Sequence, residues 1–155
     1  MAAVVLMCGP AGSGKSTVAR GLEDEGYVRV SFDEHAWALG FHDHPLTPEQ
    51  SARVDARVRA AVVDLVEAGR DVVVDSSFWS RAARDSYRAL LAPLGVEPVT
   101  LYVRTSREVL LDRVARRGNT GPDDVALTQE VVEGFLAGFE VPTADEGPLR
   151  VVDGG

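Results

Sequence analysis

Apolar residues along this chain fall into short β-branched runs separated by stretches of helical spacing. Val4 to Cys8 is a continuous apolar run ending at Gly9, which predicts a strand buried on both faces. Gly14 to about Glu25 follows as a helix whose inner face is Val18, Ala19 and Leu22, and Tyr27 to Phe32 alternates as a second strand. Gly40 to Pro48 is a loop. Thr47-Pro48-Glu49-Gln50 then supplies a helix cap, a first-turn proline and a capping-box partner. Val54, Val58, Ala61, Val62, Leu65 and Val66 continue that helix until Gly69 ends it.

Asp71 to Asp75 (DVVVD) is a third strand. Ser80 caps a helix through Leu91, and Pro98 to Val103 is a fourth strand. Thr105 with Glu108 has the form of a second capping box, opening a helix that ends near Gly118. Residues 118–127 are rich in turn formers, Val131, Val132, Phe135 and Phe139 mark a last helix, and Leu149 to Asp153 is a final strand. Strands that alternate with helices predict an α/β domain, a parallel sheet covered on both faces. With 155 residues and no repeat or linker, one domain over residues 1–155 is expected.

Composition narrows the function. No stretch reaches the roughly 18 apolar residues of a membrane span. The apolar N-terminus lacks a basic leader and runs into a glycine loop, so it reads as a strand and not a signal peptide. A single cysteine, Cys8, fits a reducing, cytoplasmic setting. The net charge of -8 argues against broad nucleic-acid binding, which needs basic surface. Between Arg81 and Arg117, however, eight arginines face four acids, a balance suited to a compact anionic ligand. The only lysine of the chain is Lys15.

That lysine stands in Gly9-Pro10-Ala11-Gly12-Ser13-Gly14-Lys15-Ser16-Thr17, a complete G-x-x-x-x-G-K-[ST] phosphate loop between a strand and a helix. Glycines let backbone N–H groups turn toward phosphate oxygens, and the helix N-terminus adds free donors. Lys15 would reach the β- and γ-phosphates of ATP, and the Ser16 hydroxyl would ligate Mg²⁺. Asp75, at the end of the third strand, is the candidate second metal group. Asp71, at the far end, is a weaker one. Asp33 follows the second strand and should share the loop's edge of the sheet, where it could accept the proton of an attacking hydroxyl, with Glu34 the fallback. Arg113, Arg116 and Arg117 could clamp the transferring phosphoryl group beneath a lid at 116–127. Arg81 and Arg84 face either the acceptor or surface acids. Trp37, Phe41 and Trp79 are candidates for the wall of the acceptor pocket, or for ordinary core packing. His35, His42 and His44 lack the cysteine partners of a structural metal site.

GPAGSGKST, a strand ending in SFDE, VVVDSSFWSR and LYVRTSREVLLDRVARRG together resemble the small P-loop kinases, along nearly the whole chain. That group includes polynucleotide 5′-hydroxyl kinases, chloramphenicol phosphotransferase, zeta-toxin-like kinases and gluconate-type sugar kinases. The resemblance implies a five-stranded parallel sheet in the order 2-3-1-4-5. It implies Lys15 and Ser16 at ATP·Mg²⁺, Asp33 as base, Asp75 near the metal, and Arg113, Arg116 or Arg117 in the lid, and this chain departs from it in a lid shorter than in larger relatives. It also implies that Glu140-Val141-Pro142-Thr143 passes near adenine. Three functions stay open at this point: a kinase of a small-molecule hydroxyl, a polynucleotide 5′-hydroxyl kinase, and a nucleotide switch or ATPase with no acceptor.

Overall fold

The computed structural model describes residues 2–10, 12–43, 45–116 and 128–154. Five strands, β1 (Val4–Cys8), β2 (Val28–Ser31), β3 (Val72–Asp75), β4 (Val99–Arg104) and β5 (Leu149–Asp153), form one parallel sheet in the order β2-β3-β1-β4-β5. The loop-bearing strand β1 lies at the centre, with Leu6 opposite Val74 on one side and Thr100 on the other. All five of its residues are buried, as a central parallel strand with both faces covered requires.

Alternation along the strands sorts the core into two layers. Val4, Leu6, Cys8, Val72 and Val74 point to one face, against α3 (Pro48–Glu67), α4 (Arg81–Leu91) and Ala36 of α2 (Phe32–Ala38). Val5, Met7, Val73, Leu101 and Val103 point to the other, against Ala19 of α1 (Lys15–Asp24). Helix α3 follows its sequence signals closely. Thr47 and Gln50 form both bonds of the capping box, and Val54, Val58, Val62 and Val66 bury one stripe at four-residue spacing. Helices α5 (Arg107–Ala115) and α6 (Gln129–Gly138) complete the chain.

Three local readings need correction. The second strand stops at Ser31, and Phe32 already begins α2, a helix that the alternating pattern hid. Ser31 ends the strand because its hydroxyl accepts the Glu34 N–H and caps the helix. Helix α5 is capped by Ser106, not by a Thr105–Glu108 box, and its last residue is Ala115. Thr105 instead donates its hydroxyl to the Ser13 carbonyl at 2.8 Å, tying the end of β4 to the phosphate loop. The lid expected at 116–127 lies outside the described residues except for Arg116, as do Ala11, His44 and Arg117.

A buried ion pair fixes α4 to the chain beyond α6. Arg84 is fully buried and donates from Nε and Nη2 to Glu146, at 2.8 and 3.0 Å, and from Nη1 to the Phe78 carbonyl at 2.8 Å. Those bonds from Arg84 hold the Glu146 carboxyl below its ordinary range. The stability it contributes is therefore present above about pH 4.5, the ordinary carboxylate value, and is lost as pH falls through the lowered one. Glu146→Gln should cost about 1.5–3 kcal/mol, the range for a hydrogen bond to a charged group, and should flatten the acid limb of stability. Urea titrations at pH 7 and pH 4 would check both, and an unchanged midpoint would refute the pair's role.

Candidate active site

The phosphate loop is held from three sides before any ligand arrives. Gly12 and Gly14 sit at φ 83° and 94°, left-handed values that a side chain would strain. Gly14 occupies the cap position of α1 with no side chain to fill the helix terminus, so the first-turn N–H groups stay available to an anion. The Gly9 N–H donates to the Ser77 carbonyl, Thr105 bonds the Ser13 carbonyl, and Arg113 donates to the Gly12 carbonyl at 3.0 Å and the Gly154 carbonyl at 2.6 Å. Lys15 is buried at the base of the loop and Ser16 and Thr17 follow it into the helix. The Ser13 hydroxyl is buried without a partner among the described residues.

Asp75 stands at the end of β3, beside Ser31 of β2. Its Oδ2 accepts two bonds from Arg29, at 2.9 and 2.6 Å, and Arg29 also donates to Glu34 at 2.8 Å. Its Oδ1 is buried and unpartnered among the described residues. A buried carboxylate oxygen with no donor is costly unless something completes it, and a cation shared with phosphate oxygens would do so. Ser16 and Asp75 offer hard oxygen donors, the set that Mg²⁺ takes when phosphates and water supply the rest. Among the described residues no cluster of three His, Cys, Asp or Glu side chains could hold a metal by itself. His42 stacks on Trp37 at 3.8 Å instead. Asp71 accepts the Ala3 N–H at the opposite end of the sheet.

Beside the loop opens a cleft of about 880 Å³. Lys15, Pro10 and Asp33 of α2 are among the residues that line it. Trp79 and Phe78 come from the β3–α4 turn, and Phe135 and Phe139 from α6 and its end. Phe78 has φ 45°, the only positive value among the described non-glycine residues. Packing against Tyr87 and the Arg84 bond to its carbonyl hold it there, so strain sits at the turn that shapes the site. The Cys8 thiol donates to the same carbonyl, and burial pushes its pKa up to about 12, which makes it inert packing and no nucleophile.

Several candidates lie elsewhere than expected. Arg84 is consumed by Glu146, and Arg81 is exposed and paired with Asp145 at 3.2 Å; neither lines the cleft. Trp37 is spent on His42 and Phe41 packs against the core, so of these three candidates Trp79 lines the pocket. Glu34 is tied to Arg29 and is not part of the wall. Glu140, at the start of the segment expected near adenine, donates its N–H to the Trp79 carbonyl and accepts the Arg81 N–H, which ties it to the start of α4. The basic segment is also not a basic surface. Of its seven described arginines, Arg81, Arg84, Arg88, Arg104, Arg107 and Arg116 pair with Asp145, Glu146, Asp85, Asp153, Glu133 and Asp112, and Arg113 is bonded to two carbonyls.

Sequence reasoning missed one polar group in the cleft. Asp55 and Arg59, one turn apart on α3, bond each other at 2.6 Å, and Asp55 accepts the Tyr87 hydroxyl at 3.0 Å. Arg59 also bonds Ser86 and lies over the Tyr87 ring at 4.5 Å. The signal was their position directly beside the Val54–Val58 stripe, which a helical wheel puts at the edge of the buried face. Arg29 was missed too; an arginine inside a strand beside two apolar neighbours was its only mark.

A central strand, a complete phosphate loop and a cleft beside it define a P-loop phosphotransferase of the kinase class. The chain belongs to the AAA domain family (AAA_33), whose match covers residues 4–142. It is 31% identical over 150 residues to a protein named "Probable gluconokinase" from Schizosaccharomyces pombe, covering 92% of this chain and 75% of that one. It is 34% identical over 119 residues to a cytidylate kinase from Natronomonas pharaonis, spanning 70% of this chain and 62% of the relative. In fold it matches the crystal structure of a sugar kinase from Janibacter sp. HTCC2649, with a TM-score of 0.75, 22% identity, and coverage of 99% and 86% of the two chains. No helix among the described residues is long and apolar enough to cross a membrane.

Proposed function

We propose that this protein transfers the γ-phosphoryl group of ATP, with Mg²⁺, to a hydroxyl of a small molecule, and that residues 1–155 form one kinase domain with a lid around 116–127. The observation that carries this reading is that Lys15 of the phosphate loop and the Asp33 carboxylate line the same cleft. A volume of about 880 Å³ suits a small-molecule acceptor, and a nucleotide switch needs no such space.

In this mechanism the backbone from Gly9 to Thr17 holds the phosphates and Lys15 follows the charge that develops on the γ-phosphoryl oxygens. Ser16 and Asp75 Oδ1 would hold Mg²⁺, which would supply neutralisation of the phosphate charge. Asp33 orients the acceptor hydroxyl and takes its proton as the oxygen bonds to phosphorus and the bond to the β-phosphate oxygen breaks. Arg113 keeps the loop backbone in place, and Arg116 and Arg117 lead into the lid. Trp79 borders the acceptor.

Labelled ATP incubated with Mg²⁺, the protein, a pool of hydroxylated metabolites and a pool of 5′-hydroxyl oligonucleotides tests this. Label is expected in the small-molecule pool. The pairing of the arginines from Arg81 to Arg116 removes the basic surface that favoured the polynucleotide reading. Label confined to oligonucleotides, or only to free phosphate, would overturn the proposal.

A further inference from the structure

We propose that the acceptor is an uncharged alcohol carried on an aromatic or otherwise apolar body, and not a polyhydroxylated acid. The proposal rests on the kinase reading and adds to it the substrate class.

The first ground is the wall of the cleft. Phe32, Leu46, Phe78, Trp79, Phe135 and Phe139 line it. Trp79 is 53% exposed and Phe135 39%, and they are two of the four large hydrophobic residues left exposed among the described ones. Apolar side chains held open to water at the mouth of a pocket gain free energy when an apolar ligand covers them. A polyol hydroxyl set against those rings would lose water and gain no partner from them, although Ser51, Ser76, Ser77 and Ser86 also line the cleft.

The second ground is charge. Setting aside Lys15, which serves the phosphates, the charged groups on the described wall are Asp33, Asp55 and Arg59. Arg59 is already bonded to Asp55 at 2.6 Å, so its charge is compensated. Asp55 is also held by the Tyr87 hydroxyl, whose proton burial and the Asp55 charge retain well above the usual phenol range. An acceptor carboxylate would therefore meet a net negative surface with, among the described residues and Lys15 aside, no uncompensated cation opposite it, whereas a neutral alcohol carries no charge to be repelled. The pair can still serve a neutral ligand. Arg59 Nη1 makes no hydrogen bond among the described residues, and it can donate to an ether, carbonyl or hydroxyl of the acceptor.

The test uses the full chain carrying Trp37→Phe, so that Trp79 is the sole tryptophan. Trp79 fluorescence is titrated with 1-phenyl-1,2-ethanediol, 3-phenyl-1-propanol, D-gluconate and D-ribose, and transfer of label from ATP to each is followed in parallel. Should that variant not fold, the difference between the wild type and Trp79→Phe gives the same readout. The aromatic alcohols should half-saturate the signal at a concentration at least about tenfold below gluconate, and Phe135→Ala should raise that concentration about tenfold. Gluconate acting at the lower concentration, or no response to either aromatic alcohol, would overturn the substrate class while transfer to gluconate left the kinase reading intact. Aromatic binding at Trp79 without label in any acceptor, in protein that binds ATP, would support the pocket assignment and count against the kinase reading.

Discussion

Lys15→Ala is expected to lower phosphoryl transfer by about 10³-fold or more. The residue is buried at the start of α1 and lines the cleft, and the chain has no second lysine to replace it. Loss of one preorganised donor to developing charge typically costs about 10²–10³-fold, and here the donor carries a full charge. Arginine should not rescue it, because a planar guanidinium does not fit a space shaped for a compact ammonium. The measurement is the initial rate of label transfer from γ-labelled ATP, with thermal unfolding to show that the variant folds. Normal turnover would remove the phosphate-loop assignment altogether.

Asp33→Asn should lower transfer by at least about 100-fold while sparing ATP binding. Asp33 lies in the first turn of α2, half-buried, on the cleft wall with Lys15. The amide keeps the shape and can still hydrogen-bond the acceptor, but it cannot take a proton. The loss should therefore appear in kcat more than in acceptor KM, and nucleotide titrations should be unaltered. Glu34→Gln is the control. Its carboxylate is occupied by Arg29 at 2.8 Å and lies off the wall, so transfer should change little. If Glu34→Gln abolished transfer and Asp33→Asn did not, the base would be reassigned.

Much of this was legible in the linear chain because the relevant signals are local. The glycine spacing of the phosphate loop, the β-branched runs of β1 and β3, and the Thr47–Gln50 box each depend on residues within a few positions of one another. The sheet order did not follow from those signals; it came from family resemblance, and the structure has the same order. Helix α2 was hidden because Val28–Ser31 and Phe32–Ala38 join without a break, and the helix cap is the last residue of the strand.

The sequence alone determined the phosphate loop, the alternation of strands and helices, and the carboxylate that ends β3, since each is written in neighbouring residues. Tertiary structure decided which charges remain available. Arg84 and Glu146 are 62 positions apart, and Arg29 and Asp75 46 apart. Nothing local marks such partners. An arginine free to bind an anion and one neutralised in the interior look the same in a sequence. Only the packing of α4 against the chain beyond α6, and of β2 beside β3, shows that Arg84 and Arg29 are neutralised by buried acids, that most other arginines of the basic segment are paired at the surface, and that the cleft beside the phosphate loop is largely apolar.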